Sequence, residues 1–298
     1  MIGVIRKISL CDGYSSVDRF IRGAISVESR VGIGQDDKVT SRIPESLANP
    51  IALVTGVGRR NGIGFAVAER LAQDGFDVGF NYWSPYDERM PYGSDQETPN
   101  EMARRIRDVG RRVLAVEGNL EESWTTTDLF DKIEADLGPV SVLVLCHCES
   151  VDSGILDTSI ESFDRHFTVN ARASWLLIRE FGLRYRASSG AGRVIALTSD
   201  HTVGNLPYGA SKGALDRITL AAAREFASLG VTANVINPGP TDTGWMNPAL
   251  KAQIIDETPL GRLGVANDVA NLVSFLCSAE GGWINGQLLA SNGGLGTG

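Results

Sequence analysis

From residue 49 onward, short apolar segments alternate with longer amphipathic ones, and this order limits the chain to few folds. The apolar segments predict strands at 51–54, 78–81, 113–116, 142–145, 194–198, 232–236 and 287–290. The amphipathic segments predict helices at 65–74, 101–109, 124–137, 162–185, 208–229 and 267–278. Strands that alternate with helices form a parallel sheet covered by helices on both faces. We therefore predict one α/β domain with a doubly wound, mostly parallel seven-stranded sheet flanked by helices.

The first predicted strand leads into a glycine-rich turn, and the turn opens a helix. Residues 55–64 read Thr-Gly-Val-Gly-Arg-Arg-Asn-Gly-Ile-Gly, and an alanine-rich segment follows. Glycine lets the backbone approach a ligand closely, and a helix N-terminus presents unpaired N–H groups to an anion. The order strand, glycine turn, helix is that of a Rossmann-type dinucleotide site, which favours cofactor binding over a purely structural turn.

Residues 1–48 lack the periodicity of the rest and mix Gly, Ser, Asp and Arg. We predict an N-terminal extension over 1–48, either partly disordered or the product of a misassigned translation start, and one folded domain over 49–298. The early charges at Arg6 and Lys7 interrupt any signal-peptide core, and the acids Asp12, Asp18 and Glu28 argue against a transit peptide.

Composition limits the partners and the compartment. The net charge of −8 gives no electrostatic reason to expect a nucleic acid or an anionic membrane surface. No apolar run approaches the length of a membrane span. The four cysteines, Cys11, Cys146, Cys148 and Cys277, show no disulfide-framework spacing, so we predict a cytoplasmic protein.

A second motif, Tyr208-Gly-Ala-Ser-Lys212, opens the predicted helix 208–229. A spacing of four places both side chains on one helical face, where a lysine ammonium lowers the pKa of a phenol toward the range useful for acid–base catalysis. Just upstream, a predicted strand ends in the hydroxyls of Thr198 and Ser199. Tyr-x-x-x-Lys is common by chance, so its position after this strand is what favours a catalytic interpretation.

From about Ala52 to Leu295, the chain resembles the short-chain dehydrogenase/reductases, in particular those like 3-oxoacyl carrier-protein reductases. The resemblance covers about five-sixths of the chain, with its motifs in the family's order. The matching pieces are Thr55-Gly56, Gly62-Ile63-Gly64, Val169-Asn170-Ala171, Thr198-Ser199, Tyr208 with Lys212, residues 237–243, 259–262 and 268–270, and 284–287 with Gly293-Gly294.

The resemblance implies a catalytic set of Asn170, Ser199, Tyr208 and Lys212. Tyr208 would donate a proton to a carbonyl oxygen while nicotinamide delivers hydride, and Ser199 would hydrogen-bond that oxygen. Lys212 would hold the nicotinamide ribose and depress the pKa of Tyr208, and Asn170 would hold a water that links Lys212 to solvent. The predicted cofactor site comprises Thr55, Gly56, Gly58, Arg59, Arg60, Gly62, Ile63, Gly64, Tyr82, Asn119, Leu120, Cys146, Pro238, Gly239, Thr241 and Thr243.

The chain departs from the family pattern at two places. Ser199 and Tyr208 are nine positions apart, closer than is usual, so Thr198 stays open as the alternative hydroxyl. Where the family commonly has Asn-Asn-Ala-Gly, this chain has Leu145-Cys146-His147-Cys148. We favour packed, unreactive cysteines over a metal site here, because adjacent residues of an extended segment point to opposite faces.

The end of the second predicted strand bears on the choice of cofactor. An NAD enzyme usually has an acidic residue there for the adenosine ribose, but residues 81–83 read Asn-Tyr-Trp. Arg59 and Arg60 lie among the five residues between Gly56 and Gly62, where the family usually has three, and can meet a 2′-phosphate. NADP(H) is therefore favoured over NAD, although simple solvation of the two arginines stays open.

We consider three functions. The first is an NADP(H)-dependent oxidoreductase acting on a ketone or secondary alcohol, with a 3-oxoacyl thioester as one substrate. The second is a catalytically silent cofactor-binding scaffold or sensor. The third is an enoyl-thioester reductase, which is disfavoured because such relatives usually separate the tyrosine and lysine by six residues and this chain by three.

The remaining predictions concern a lid, a loop and the oligomeric state. Residues 244–256 predict a mobile lid. Trp245, Met246 and Leu206 suggest a partly apolar substrate pocket, although each could equally be ordinary packing. Residues 83–99, rich in proline and tyrosine, are either a functional loop or a plain insertion. The resemblance also implies a homodimer or homotetramer paired through helices 162–185 and 208–229.

Overall fold

The computed structural model describes residues 49–296, so the predicted extension 1–48 lies outside the described residues. It contains seven strands within a few residues of the predicted positions. They are β1 (Ile51–Thr55), β2 (Asp77–Tyr82), β3 (Val113–Glu117), β4 (Val140–Leu145), β5 (Gly192–Leu197), β6 (Val231–Asn237) and β7 (Leu288–Ala290). The strands are rich in branched apolar residues, and β1, β4 and β5 are buried along their whole length.

The described residues form nine α-helices, most of them at the predicted positions. They are α1 (Ile63–Gln73), α2 (Ser84–Arg89), α3 (Thr98–Asp108), α4 (Ser123–Asp136), α5 (Ile160–His166), α6 (Ser174–Arg184), α7 (Leu206–Glu225), α8 (Pro248–Glu257) and α9 (Ala266–Cys277). The short helix α2 lies in the segment 83–99, and α8 lies in the predicted lid. Each has a proline in its first turn, where the missing N–H removes no helical hydrogen bond.

The predicted helix 162–185 is present without a break, but it is not α-helical throughout. Residues Phe167–Ala173 form a π-helical segment between α5 and α6. Such a segment widens the helix and frees backbone groups from the regular ladder, and it is found mostly at functional sites. The apolar spacing of α5 and α6 is close to that of one long helix, so periodicity alone cannot reveal the interruption.

All seven strands are parallel, in the order β3-β2-β1-β4-β5-β6-β7. Alternate strand residues enter two separate cores: Leu53 packs with α4, α6 and α7, whereas Val54 packs with α1, α3 and α9. This confirms the doubly wound fold. No helix of residues 49–296 has the length and apolar character needed to cross a bilayer.

Neighbouring strands β1 and β4 mark the point where the chain changes its direction of winding across the sheet. From β1 the chain continues to β2 on one side, and from β4 it continues to β5 on the other. In such sheets, a crevice opens outside the carboxyl ends of these two strands and is the usual ligand site. Both the glycine turn and the sequence Cys146-His147-Cys148 lie at this crevice.

Candidate active site

The glycine turn packs directly on the loop after β4. Gly56 has a φ of +75°, and a Cβ there would lie 2.7 Å from the backbone nitrogen of His147. A Cβ on Gly64, in the first turn of α1, would lie 2.5 Å from the Gly56 carbonyl oxygen. Both glycines are therefore required by backbone packing within the protein, in addition to any approach of a ligand. The turn leaves the N-terminus of α1 facing the crevice.

His147 is the buried hydrogen-bonding centre of the loop after β4. Its Nδ1 lies 2.7 Å from the Thr55 hydroxyl, and its Nε2 lies 3.1 Å from the Val169 carbonyl oxygen and 3.2 Å from the Ser174 hydroxyl. Burial lowers the pKa of His147 to about 3, with a further contribution from Lys212, so the imidazole is neutral. The neutral ring thus joins the end of β1 to the π-helical segment.

The π-helical segment places Asn170 in the interior. Its Oδ1 accepts a hydrogen bond from the Glu149 N–H at 2.8 Å, and its Nδ2 donates to the Glu149 carbonyl at 2.8 Å and to the Ser211 hydroxyl at 2.9 Å. Both hydrogens of the amide are therefore used by the protein. The side chain acts in this structure as a clamp between the loop after β4 and α7, and its predicted water-holding role stays a prediction.

Tyr208 and Ser199 meet at the carboxyl end of β5. Tyr208 lies in the first turn of α7, and a side-chain hydrogen bond from Ser199 acts on its phenol. The short connection between the two residues therefore still brings the hydroxyls together. Thr198 is buried, and its hydroxyl donates to the Lys212 carbonyl oxygen at 3.4 Å. Of the two candidate hydroxyls, Ser199 is the one placed against the phenol.

Lys212 lies behind Tyr208, with its Nζ 5.7 Å from the centre of the phenol ring. The buried ammonium donates to the Leu197 carbonyl oxygen at 2.8 Å, and burial lowers its pKa. The pKa of Tyr208 is raised, because burial outweighs the opposing effect of Ser199. The expectation that Lys212 depresses this pKa is thus wrong for this structure, since the ammonium points at a backbone carbonyl.

The two cysteines beside His147 face the catalytic residues. Burial raises the pKa of Cys146 to about 12 and also raises that of Cys148, and in both cases Lys212 opposes the rise. The pKa values of Tyr208, Tyr86 and Tyr92 all respond to Cys148, so its thiol lies among these three phenols. Protonated thiols are poor nucleophiles. The described residues contain no group of three or more potential ligands placed to hold a metal ion.

The two arginines of the glycine turn have different partners, although both contact the segment after β2. Arg59 crosses toward β6 and donates to the Thr243 carbonyl oxygen at 3.0 Å. Arg60 turns toward α3, on the β2–β3 side, and pairs with Glu101 and Asp95. Contact of these arginines with a 2′-phosphate stays a prediction, and in this conformation both side chains are paired with protein carboxylates.

The other predicted cofactor residues lie at the same edge of the sheet. Tyr82 ends β2, Asn119 and Leu120 follow β3, and the loop after β6 carries the rest: Pro238, Gly239, Thr241 and Thr243. The side chain of Asn119 accepts from the Glu121 N–H at 3.0 Å, and Thr241 bonds the Pro238 carbonyl at 3.2 Å. These side chains shape their own turns, and contact with a cofactor stays a prediction for each.

One ion pair, between the exposed Arg89 and the buried Glu149, was not predicted from the sequence. Arg89, at the end of α2, forms two hydrogen bonds to the Glu149 carboxylate at 3.3 and 2.9 Å. The Glu149 backbone is the same group that Asn170 clamps, so α2 is tied to the catalytic region through one residue. Arg89 and Glu149 are far apart in the sequence and belong to no common motif, so only the folded structure shows that they pair.

In the predicted lid, α8 exposes most of its side chains, and Met246 is buried whereas Trp245 is half exposed. The Lys251 ammonium binds the Asp242 carboxylate at 2.7 Å and fastens α8 to the loop after β6. The apolar groups expected at the pocket are therefore divided between the core and the surface.

Comparisons with known proteins agree with this geometry. The family model described as enoyl-(acyl carrier protein) reductase matches residues 56–296. The chain is 34% identical over 250 residues to the uncharacterized oxidoreductase YjdA of Bacillus subtilis, covering 82% of this chain and 96% of the relative. It is 36% identical over 272 residues to an NADPH-dependent aldehyde reductase-like chloroplastic protein of Arabidopsis thaliana, covering 85% and 97%.

Among solved structures, a short chain dehydrogenase from Burkholderia cenocepacia in complex with NADP superposes with a TM-score of 0.72. The sequence identity is 30%, and the match covers 82% of this chain and 96% of the other. The similarity thus extends over nearly the full described domain, in sequence and in fold.

Proposed function

Because the chain belongs to the short-chain dehydrogenase/reductase family, we propose that this oxidoreductase uses NADP(H) to reduce a ketone or aldehyde to an alcohol. The main support for this function is the position of the Tyr208 and Ser199 hydroxyls, which lie together at the carboxyl end of β5 beside the buried Lys212. NADP as the cofactor is supported by the similarity to the NADPH-dependent reductase-like protein of Arabidopsis and to the Burkholderia dehydrogenase in complex with NADP.

The residues of the crevice fit a dinucleotide. The glycine turn presents the N-terminus of α1, and Arg59 supplies a positive charge above it. Arg60 and Tyr82 flank the end of β2 with no acidic residue at Tyr82 itself. Thr243, with the backbone near Thr241 in the loop after β6, would hold the nicotinamide carboxamide. When bound, reduced NADP supplies the hydride.

Tyr208 would supply the proton in this reaction. Its raised pKa keeps the phenol protonated near neutral pH, which suits a general acid that protonates a carbonyl oxygen as that oxygen gains negative charge. Ser199 would donate a second hydrogen bond to the same oxygen.

The role of Ser199 gives one testable prediction. Ser199→Ala is expected to lower kcat about 100-fold, because one preorganised donor to the developing alkoxide is lost. Thr198→Val is the matched control, since its hydroxyl is buried against Lys212, and it should retain most of the activity. Steady-state oxidation of NADPH at 340 nm measures both. A larger loss in the Thr198 variant would reverse the assignment.

The two arginines give a second prediction, on cofactor choice. Arg60→Ala is expected to weaken NADPH binding about tenfold and to leave NADH binding unchanged, because only NADPH carries the 2′-phosphate. Arg59→Ala should weaken both dinucleotides by similar factors, because the diphosphate is common to them. Equilibrium titration of each variant with both cofactors measures this. Equal losses for both cofactors in Arg60→Ala would exclude Arg60 as the 2′-phosphate ligand.

Enoyl-thioester reduction is the second candidate, and the description of the matching family model favours it. The separation of Tyr208 and Lys212 by three residues favours carbonyl reduction instead. NADPH oxidation with acetoacetyl and crotonyl thioesters, and with simple aldehydes and ketones, separates the two. Turnover of crotonyl thioester alone would overturn carbonyl reduction.

Assembly and location belong to the same proposal. We expect a cytoplasmic homodimer or homotetramer paired through α6 and α7, with a small-molecule carbonyl as the only ligand besides the cofactor. Two large apolar side chains of α6, Trp175 and Leu183, are exposed, which supports pairing through this helix. Light scattering of the purified protein gives the mass directly, and a monomer at micromolar concentration would contradict this part.

A further inference from the structure

Residues 84–92, here named the strap, follow β2 and contain α2. The strap contacts the loop after β4 at two points. Arg89 binds the Glu149 carboxylate, and the Tyr86 hydroxyl donates to the Ser150 carbonyl at 3.4 Å. In the sheet, β1 lies between β2 and β4. A segment that leaves β2 and reaches the loop after β4 must therefore cross the end of β1, where the glycine turn lies.

At this crossing, the strap places a carboxylate against the glycine turn. Asp87 is only 6% exposed, and a Cβ on Gly58 would lie 2.6 Å from its Oδ2. Its Oδ1 lies 3.5 Å from the Arg59 Nε. An anionic side chain thus lies beside the backbone that is expected to approach the diphosphate of a dinucleotide. Two anions cannot share this place without mutual repulsion.

Arg59 is already engaged in this conformation. Besides Asp87, its guanidinium binds the Thr243 carbonyl and stacks 4.1 Å from the centre of the Tyr92 ring. One side chain therefore connects the glycine turn, the strap and the loop after β6. A diphosphate seated at the turn would compete with Asp87 for this cation.

We propose that the strap is a gate for the dinucleotide, in which Asp87 holds Arg59 across the glycine turn and must withdraw before the diphosphate binds. The proposal rests on the proposed function, because it takes a dinucleotide as the ligand. The gate differs from the lid at 244–256, since it covers the cofactor side of the crevice and derives from the segment after β2.

The ionisation of Asp87 gives the gate a pH dependence. Burial raises the pKa of Asp87 to about 6, and Arg59 opposes the rise. The other ionisable groups that act on Asp87 or respond to it are Tyr92 and Cys148, whose pKa values are both raised, so neither titrates below neutral pH. Protonation of Asp87 removes its charge and its hold on Arg59, so the gate should open more readily as pH falls through 6.

Asp87→Asn tests the gate with little change of shape. The variant is expected to bind both NADPH and NADH with an association rate constant about tenfold higher, at the low end of what charge in a cleft produces. The ratio of the two rate constants should stay constant, because the diphosphate is common to both cofactors. Stopped-flow measurement of energy transfer from tryptophan to the bound dinucleotide gives the association and dissociation rates.

Glu88→Gln is the matched control. It removes the same charge from the adjacent residue of α2, but the Glu88 carboxylate points to Gln96 and Ser94, away from the turn. Its association rate should equal that of wild type. An equal acceleration in both variants would reduce the effect to general charge and overturn the gate. An unchanged association rate with faster dissociation in Asp87→Asn would also overturn it, since Asp87 would then stabilise the bound state.

NADH is the suitable ligand for measuring the pH dependence, because it lacks the 2′-phosphate of NADPH, which itself titrates near pH 6. The wild-type association rate for NADH should rise between pH 8 and pH 5.5, and the Asp87→Asn rate should be flat. Failure of wild type to bind either dinucleotide would contradict the proposed function. Normal binding by wild type, with no acceleration in the variant, would contradict the gate alone.

Discussion

Tyr208→Phe is expected to lower kcat for carbonyl reduction by about 10³-fold, equivalent to about 4 kcal/mol of transition-state stabilisation, with dinucleotide binding unchanged. The phenol is the proton donor in the proposed reaction, so its loss removes the group that would protonate the carbonyl oxygen. Phenylalanine keeps the ring that packs beside Lys212 and removes only the hydroxyl. Single-turnover oxidation of NADPH, with the substrate in excess, measures the chemical step directly.

Tyr185→Phe serves as the control for this experiment. The Tyr185 hydroxyl donates to the Ser188 carbonyl at 2.9 Å, after α6 and away from the crevice. It should leave kcat unchanged. Persistent turnover by Tyr208→Phe would refute the catalytic assignment. Absence of turnover in wild type over a broad panel of carbonyls would instead favour the silent scaffold, which has the same fold and the same cofactor site.

His147→Ala is expected to lower the free energy of unfolding by about 3 kcal/mol, because it removes the hydrogen bonds of the ring with the Thr55 hydroxyl and the Val169 carbonyl and opens a cavity. Activity should also fall, since the π-helical segment carries Asn170. Urea denaturation followed by circular dichroism measures the stability. His201→Ala, at an exposed position after β5, is the control and should be neutral.

The same histidine makes a prediction for pH. The folded pKa of about 3 lies below the ordinary value of 6.5, so the folded state binds fewer protons than the unfolded state in this range. The contribution of His147 is full above pH 6.5 and is lost as pH falls from there toward 3, by up to about 5 kcal/mol. His147→Asn retains an amide donor and acceptor but does not titrate. Its stability should therefore depend less on pH between 6.5 and 4, and an unchanged dependence would contradict the neutral, buried state of His147.

The order of the strands and helices follows from local patterns that a sequence displays directly. Apolar runs such as those of β1 and β4 are long enough to read as buried strands, and the helices between them show an apolar face. The π-helical segment escaped prediction, because its residues satisfy the same spacing as the helices on both sides. A tertiary contact accompanies it: His147 Nε2 lies 3.1 Å from the Val169 carbonyl oxygen within the segment.

The candidate active site likewise has features that the sequence predicts and features that only the tertiary structure shows. Tyr208, Lys212 and the glycine turn are close in sequence to recognisable elements, so their grouping at one edge of the sheet follows from the parallel topology. The pKa of Tyr208 cannot be predicted from the sequence, because it depends on how far the phenol is buried and on which acceptor the Lys212 ammonium binds. Spacing places two side chains on one face of a helix but does not say which neighbouring acceptor each one binds.

By itself, the sequence determined the α/β fold, the edge of the sheet where chemistry takes place and the residue types available there. Only the tertiary structure decided that Arg59 binds Asp87 and Thr243 whereas Arg60 binds Asp95 and Glu101, and that the strap lies across the end of β1. It also decided that His147 is a structural hydrogen-bonding residue. The physical reason is that local periodicity reports which face of an element is buried, whereas the direction of a charge or a hydrogen bond depends on partners contributed by distant segments. Asp87 and Gly58 are 29 positions apart, and Arg59 and Thr243 are 184 apart.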